Sequence, residues 1–295
     1  MYNKILVANR GEIALRIIRA CRELNIQTVA VYSKIDELSL HTKFADEAIC
    51  IGPSESKKSY LNIAAIISAA ELTNADAIHP GYGFLAESSK FSRICAENGI
   101  EFIGPLPETI DAMGNKSNAK KIMKEIGIPV IYGSTGIVNT IEEAYIEAEK
   151  ATYPILLKAS AGGGGRGMRI VENKDQMKQS FQSAKSEAEN SFSNGDIYLE
   201  KLIEKPRHIE VQILADSHGK VVTLGDRECS IQRRHQKLIE ESPSSGINDI
   251  TRKKIFDATI KGARTVKYLG AGTIEFLIDS NNDFYFMEMN TRIQV

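Results

Sequence analysis

Apolar residues change their spacing repeatedly along the chain, and each change predicts an element. KILVA near the N-terminus is a short strand-like run, and GEIALRIIRACREL after it places Ala14, Ile17, Ile18, Cys21 and Leu24 on one helical stripe. TVAVYS reads as a second strand, YLNIAAIISAAELT as a helix, DAIHP as a strand ended by proline, ESSKFSRICAENG as a helix and EFIGP as a short strand. Strands separated by helices predict βαβ units and a parallel sheet, with function at the carboxyl ends of its strands. Two loops belong there: Asn9-Arg10-Gly11-Glu12 and HPGYGF.

The pattern changes after Pro107. NKSNAKKIMKEIG predicts a short helix with a capping serine or asparagine and a closing glycine, and IPVI opens a new segment. A small unit of strands and helices then extends to about Glu200. Its helix, beginning near Asn173, carries Met177, Phe181, Ala184 and Ala188 on one face, with Gln176 placed as a capping-box partner. From HIEVQILAD onward the chain predicts antiparallel strands, with turns at Ser217-His218-Gly219 and at Asn281-Asn282.

Composition narrows the choice of function. At 295 residues, 42% hydrophobic and 25% charged, the chain suits about two soluble domains. A net charge of −1 argues against a nucleic-acid or anionic-membrane binder, which would carry a basic surplus. The N-terminus lacks a charged leader with an apolar core, and no run approaches the roughly 20 apolar residues of a membrane span. A cytoplasmic protein is expected. Cys21, Cys50, Cys95 and Cys229 show no C-x-x-C spacing, which favours reduced thiols.

The segment ILLKASAGGGGRGMRIVEN holds Gly162, Gly163, Gly164 and Gly165 in a row. It satisfies G-x-G-x-x-G formally, yet it joins two strands and opens no helix, so the dinucleotide reading fails; no G-K-[ST] follows, so the Walker reading fails too. What is left is a glycine-rich hairpin whose bare N–H groups can wrap phosphate oxygens, with Lys158 adding a point charge. A plain solvent-exposed hairpin tip is the alternative.

A second constellation lies along TIEFLIDSNNDFYFMEMN. Alternation puts Thr273, Glu275 and Leu277 on one strand face, and Phe284, Phe286, Glu288 and Asn290 on one face of the next. A two-residue Asn281-Asn282 loop pairs Ser280 with Asp283 and Glu275 with Glu288. Two carboxylates so close repel unless one is protonated or a cation lies between them, and a divalent ion such as Mg²⁺ suits this arrangement. A solvated hairpin face is the simpler alternative. A third cluster, GDRECSIQRRHQKLIEESP, gathers Arg227, Arg233, Arg234, His235 and Lys237. Without interleaved aromatics it predicts a site for small anions. Taken alone, His208 and His235 read as packed or surface histidines, and Cys229 as a buried inert thiol.

These residues carry a resemblance over the whole chain. KILVANRGEIALRIIRA, IHPGYGFLAE, KASAGGGGRGMRIV, ECSIQRRHQKLIEESP and FMEMNTRIQV, in that order, resemble the biotin carboxylase component of biotin-dependent carboxylases, a branch of the ATP-grasp enzymes. The resemblance implies an α/β fold: a Rossmann-like, parallel-sheet pre-ATP-grasp domain over residues 1–114, then an ATP-grasp α+β domain over 115–295. The latter would hold a glycine-rich lid subdomain at about 130–203 and an incomplete subdomain from 204. ATP would contact Lys116, Lys158, His208, Gln232, His235 and the glycines, with Glu200, Lys201 and Ile203 near the adenine. Glu275, Glu288 and Asn290 would hold Mg²⁺, or Mn²⁺. Lys237, Arg292, Gln294 and Val295 match bicarbonate contacts, Lys237 and Arg292 being the catalytic pair, and Tyr82 lies where biotin arrives. The implied reaction phosphorylates bicarbonate to carboxyphosphate and passes its CO₂ to biotin on a carrier protein or domain. A carboxyltransferase subunit or domain would complete the enzyme, and the complete protein would be a homodimer.

In the family, a glutamate that serves as base on bicarbonate follows RIQV directly, and an arginine near biotin comes later; this chain ends at Val295. The expectation is therefore a fragment without biotin-carboxylating activity of its own. Two alternatives stay open: another ATP-grasp ligase of the carbamoyl-phosphate type, and a nucleotide-binding module without catalysis.

Overall fold

A computed structural model describes residues 2–134, 136–159, 168–192, 195–233 and 236–295. The N-terminal sheet contains β1 (Lys4–Val7), β2 (Gln27–Ser33), β3 (Glu47–Gly52), β4 (Ala77–His79) and β5 (Glu101–Phe102), in the order β3-β2-β1-β4-β5 with every pairing parallel. Helices α1 (Gly11–Glu23), α2 (Leu40–Phe44), α3 (Ile63–Leu72) and α4 (Ser89–Glu97) connect these strands. Helix α1 buries Ile13, Ala14, Ile17, Ile18 and Cys21. Leu24, expected on the same stripe, is the C-cap residue and is exposed, because the helix has ended before its turn comes round. Strand β3 and helix α2 had no clear sequence signal. Asn62 and Ser88 cap α3 and α4 by accepting from Ala65 N–H and Phe91 N–H.

The chain crosses between cores within α5 (Pro107–Gly114): Ile110 packs in the parallel-sheet core, and Met113 in the core of the second sheet. Helix α6 (Lys116–Glu125) follows, capped by Asn115, with Gly127 in the left-handed region after it. Next comes a three-stranded antiparallel sheet of β6 (Ile155–Ala159), β7 (Met168–Val171) and β8 (Ile197–Lys201), in the order β7-β6-β8. It is packed by α7 (Ile141–Ala151) and α8 (Lys174–Phe192). The four α8 residues expected inward, Met177, Phe181, Ala184 and Ala188, are all buried. Asn173 accepts from Gln176 N–H, and the Gln176 side chain reaches back to the N–H of Glu172.

The largest site-bearing element is a five-stranded antiparallel sheet of β9 (Arg207–Ala215), β10 (Val221–Arg233), β11 (Gln236–Glu241), β12 (Gly270–Ile278) and β13 (Phe284–Asn290), in the order β11-β10-β9-β12-β13. Helix α9 (Asp249–Thr265) covers one side with α6. Ile209, Val211, Ile213, Ile274, Phe276 and Ile278 fill this covered face. The other face is polar, and strand alternation explains why: His208, Glu210 and Gln212 alternate with the apolar residues of β9, as Thr273 and Glu275 do on β12.

The β12–β13 hairpin departs from expectation twice, and the departures cancel. Ile278 pairs with Phe284, so the turn is one residue longer than the expected two, with Asn282 at φ 64°. Asp279, rather than Ser280, bonds to Asp283. A bulge at Met287 then takes up the extra residue, and Glu275 does pair with Glu288, and Thr273 with Asn290. Phe284, Phe286, Glu288 and Asn290 therefore do not share a face. Phe286 packs on Phe276 in the core, while Glu288 and Asn290 belong with Glu275 on the polar face.

Candidate active site

Glu275 is the centre of the polar face. Its side chain is only 4% exposed, and Lys237 Nζ donates to one carboxylate oxygen at 2.7 Å, Asn290 Nδ2 to the same oxygen at 2.7 Å. The other oxygen lies 2.5 Å from His208 Nε2. Gln232 Nε2 sits 2.6 Å from His208 Nδ1 and also donates to the Cys229 carbonyl, so Nδ1 is the acceptor and Nε2 carries the proton toward Glu275. Burial alone would raise the Glu275 carboxyl, but His208 and Lys237 hold it down to about 2. Lys237 answers in the opposite sense: burial works against its charge, and Glu275 and Glu210 outweigh it, keeping the ammonium charged.

Glu210, one strand over, was not singled out from sequence. It is 1% exposed and binds Lys237 Nζ at 2.5 Å and Arg227 Nε more closely still. The alternation of His208, Glu210 and Gln212 within an apolar strand was the available signal. The basic cluster is consequently not a set of free cations: Arg227 and Lys237 lie on buried carboxylates, Arg233 is exposed, and Arg234 and His235 lie outside the described residues. Cys229 is buried, and burial pushes its thiol up to about 12, in keeping with an inert cysteine.

Glu288 faces Glu275 across the hairpin but has its own counter-ion, Lys116 Nζ at 2.5 Å. Lys116 is 70% exposed, so this partner can leave at little cost. Glu275, Glu288 and Asn290 together offer hard oxygen donors on one face, a donor set that fits Mg²⁺ or Mn²⁺. Glu210, Cys229 and Glu240 also bring ligand atoms within 4.8 Å of one another. That group fits a cation poorly, since Arg227 and Lys237 already occupy Glu210 and the Cys229 thiol keeps its proton.

Lys158 stands at the end of β6, paired with Met168 of β7, as the hairpin reading required; Gly162 to Gly165 lie outside the described residues. Its ammonium rests on buried Glu200, which also holds Lys120 of α6. Burial would raise the Glu200 carboxyl, and these two lysines lower it instead. The Lys201 ammonium turns the other way, to the carbonyls of Thr152 and Tyr153, and Ile203 is half-buried just after β8.

The third part of the site comes from the loops at the carboxyl ends of the parallel strands. Asn9 donates to the carbonyls of Pro80 and Tyr82 at 2.7 and 2.8 Å, joining the two loops singled out from sequence. Gly81 permits this: its φ is +66°, and a Cβ there would lie 2.9 Å from Asn9 Nδ2. The Tyr82 hydroxyl donates to Glu12. Glu87, a little further on, accepts from Thr291 and from Arg292 Nε at 3.0 Å. Gln294 donates to Thr273 at 3.0 Å, which brings the last residues beside the polar face, and Val295 is exposed.

Known proteins match this chain from end to end. Residues 1–110 match the family described as Biotin carboxylase, N-terminal domain, and residues 115–295 the one described as Carbamoyl-phosphate synthase L chain, ATP binding domain. The Biotin carboxylase of Nostoc sp. is 56% identical over 294 residues, 100% of this chain and 66% of that protein. Biotin carboxylase 1 of Bacillus subtilis is 52% identical over 296 residues, again 100% and 66%. A crystal structure of a biotin carboxylase–β,γ-ATP complex from Campylobacter jejuni has a TM-score of 0.90 at 52% identity, covering 100% of this chain and 66% of that one. The biotin carboxylase domain dimer of Hydrogenobacter thermophilus 2-oxoglutarate carboxylase, in complex with MgADP, ADP and bicarbonate, has a TM-score of 0.88 at 50% identity, covering 100% and 65%. The chain thus spans about two thirds of the length of the relatives it matches.

Proposed function

The chain belongs to the biotin carboxylase family, and from that premise we propose that the protein uses ATP and bicarbonate to carboxylate biotin on a carrier protein or domain. One observation carries the proposal: Glu275, Glu288, Asn290, His208 and Lys237 share one sheet face, and Arg292 and Gln294 adjoin it next to the Tyr82 loop. In this reading Lys116, Lys158, His208, Gln232 and His235 bind phosphates under Gly162 to Gly165, and Glu200, Lys201 and Ile203 bound the adenine pocket. Lys237, Arg292, Gln294 and Val295 receive bicarbonate, and Tyr82 meets biotin.

The chemistry follows from charge. A bicarbonate oxygen attacks the γ-phosphorus of ATP, ADP leaves, and the carboxyphosphate formed releases CO₂ and phosphate. The ureido nitrogen of biotin then forms a bond to the CO₂ carbon and gives up its proton to the phosphate released with that CO₂. Lys158 must leave Glu200 to reach a phosphate, and Lys120 stays behind as counter-ion for that buried carboxylate. Lys237, fixed between Glu210 and Glu275, supplies a positive charge that needs no rearrangement during reaction. A magnesium ion on Glu275, Glu288 and Asn290 supplies further charge to the phosphates when bound.

The wider assignments belong to the same proposal. A carrier domain, a carboxyltransferase and a homodimer follow from the family, the dimer being supported by the Hydrogenobacter thermophilus domain. The passage of the chain from one core to another within α5 supports a domain boundary near residue 114, and four free cysteines favour a reducing compartment such as the cytoplasm. The description of the match over residues 115–295 favours one other reading, a carbamoyl-phosphate-type ligase. ADP release by the full-length protein, measured with bicarbonate and with or without free biotin, decides between them. Stimulation by biotin supports carboxylation; bicarbonate-dependent turnover indifferent to biotin would overturn it.

A further inference from the structure

Glu87 is the one charged side chain of the HPGYGFLAE loop that reaches across to the anion-binding end of the chain, 204 residues away. Its two oxygens divide the work. Oε1 accepts from Thr291 N at 3.0 Å and from the Thr291 hydroxyl at 3.2 Å, and Oε2 accepts from Arg292 Nε at 3.0 Å. Thr291 is 1% exposed, so the backbone that Glu87 grips is itself immobilised. The remaining guanidinium nitrogens are fixed by the strand's own continuation: Nη1 donates to Gln294 Oε1 at 2.9 Å, and Nη2 to Asn290 Oδ1 at 3.4 Å. Among the described residues, Glu87 is the hydrogen-bond partner of the Arg292 side chain that lies outside the segment from Asn290 to Gln294.

The loop that carries Glu87 is stiff. Ala86 N–H bonds to the Gly83 carbonyl at 2.8 Å, Ser88 N–H to that of Leu85 at 3.1 Å, and Leu85 and Ala86 are buried. Tyr82 begins the same run, held through its carbonyl by Asn9. We propose that Glu87 is a positioning residue that fixes Arg292 relative to the Tyr82 loop, so that bicarbonate bound at Arg292 and biotin arriving at Tyr82 are held at one set separation. The inference rests on the biotin-carboxylating reading and deepens it. Proximity of this kind is a large part of how two bound reactants are made to meet.

Charge alone would act in the opposite direction. A carboxylate on Arg292 weakens its attraction for a second anion, so if Glu87 only damped that charge, its removal would tighten bicarbonate binding. The sign of the effect separates positioning from damping. In the full-length protein, Glu87→Ala is expected to raise the KM for bicarbonate about tenfold, the size of one lost charge-assisted hydrogen bond, with the KM for MgATP changed by less than about twofold. Glu87→Gln keeps an oxygen for Thr291 but no charge for Arg292, and its bicarbonate KM should fall between those of Glu87→Ala and the wild type. Hydrogen exchange at the Thr291 amide should quicken in Glu87→Ala and less so in Glu87→Gln. An unchanged or lower bicarbonate KM in Glu87→Ala overturns the proposal, as does an equal rise in both KM values together with a lower Tm. If the wild type releases no ADP with bicarbonate and biotin, the carboxylation reading fails and takes this inference with it; a working wild type with an indifferent Glu87→Ala removes the inference alone.

Discussion

Glu275 and Glu288 stand opposite each other across the β12–β13 hairpin without sharing a counter-ion: Lys237 and His208 hold the first, Lys116 the second. Two carboxylates at a cross-strand pair cost stability when left uncompensated, and here each has partners from other elements: Lys237 and His208 for Glu275, Lys116 for Glu288. The unequal burial of the two sites separates their expected behaviour on mutation.

Glu288→Gln should lower Mg²⁺-dependent turnover of the full-length protein by at least about tenfold, since one anionic ligand is lost. Its partner Lys116 is 70% exposed, so stability without metal should change by no more than about 1 kcal/mol. A magnesium titration of turnover with a melting curve checks both parts. Wild-type turnover in the mutant would remove Glu288 from the metal site.

Lys158→Ala should weaken ATP binding about 10- to 100-fold, the effect of losing a charge-assisted contact of about 1.5–3 kcal/mol. Glu200 keeps Lys120, so the buried carboxylate is not left alone and the fold should survive. Calorimetric titration at fixed salt is the measurement, and unchanged affinity would sink the phosphate assignment.

The acid limb of stability should report Glu275. Its pKa is lowered from 4.5 to about 2 in the folded protein, so the stabilisation is complete above pH about 4.5 and is lost as pH falls toward 2. Unfolding free energies measured across that range should fall more steeply for the wild type than for Glu275→Gln, by on the order of 3 kcal/mol over the whole interval. Parallel curves would mean that His208 and Lys237 do not favour the ionised carboxyl. Lys237 contributes nothing to this limb, because its stabilisation is fully present at acid pH and fades only when strong alkali removes its proton.

Much of this arrangement could be read from the residues alone, and the misses have physical causes. The pairing of Glu275 with Glu288 agrees with the sequence reading only because two misses offset each other: the turn holds one residue more than expected and the bulge at Met287 absorbs it, and nothing in FYFMEMN marks which residue is left unpaired. The stripe on α1 failed only at Leu24, where capping overrides periodicity. Lys120 and Glu87 carried no signal at all. Each acts through a partner 80 or more residues away, Glu200 and Arg292, and spacing along the chain says nothing about such meetings.

Residues 1–295 expressed alone should bind MgATP at most weakly and release no ADP in response to bicarbonate and biotin. The relatives that match the chain are half as long again, and a closed, water-free site is needed to protect carboxyphosphate. The comparison is with a relative of full length, such as Biotin carboxylase 1 of Bacillus subtilis, under identical conditions; equal rates would require a base within these residues, with Glu240, 41% exposed beside Arg227, as the first to test.

The bulge at Met287 does for strand faces what a single inserted base does for a reading frame. Phe284, Phe286, Glu288 and Asn290 are all even-numbered, and in an unbroken strand all four would look the same way. The extra residue switches parity partway along, so that one strand shows grease to α6 and α9 at its start and acid to the opposite side at its end. Flattening the bulge with Met287 retained would force a choice, the phenylalanines entering the polar face or Glu288 and Asn290 the core; deleting Met287 would instead make Phe286 and Glu288 neighbours in a regular strand and leave each on its present face.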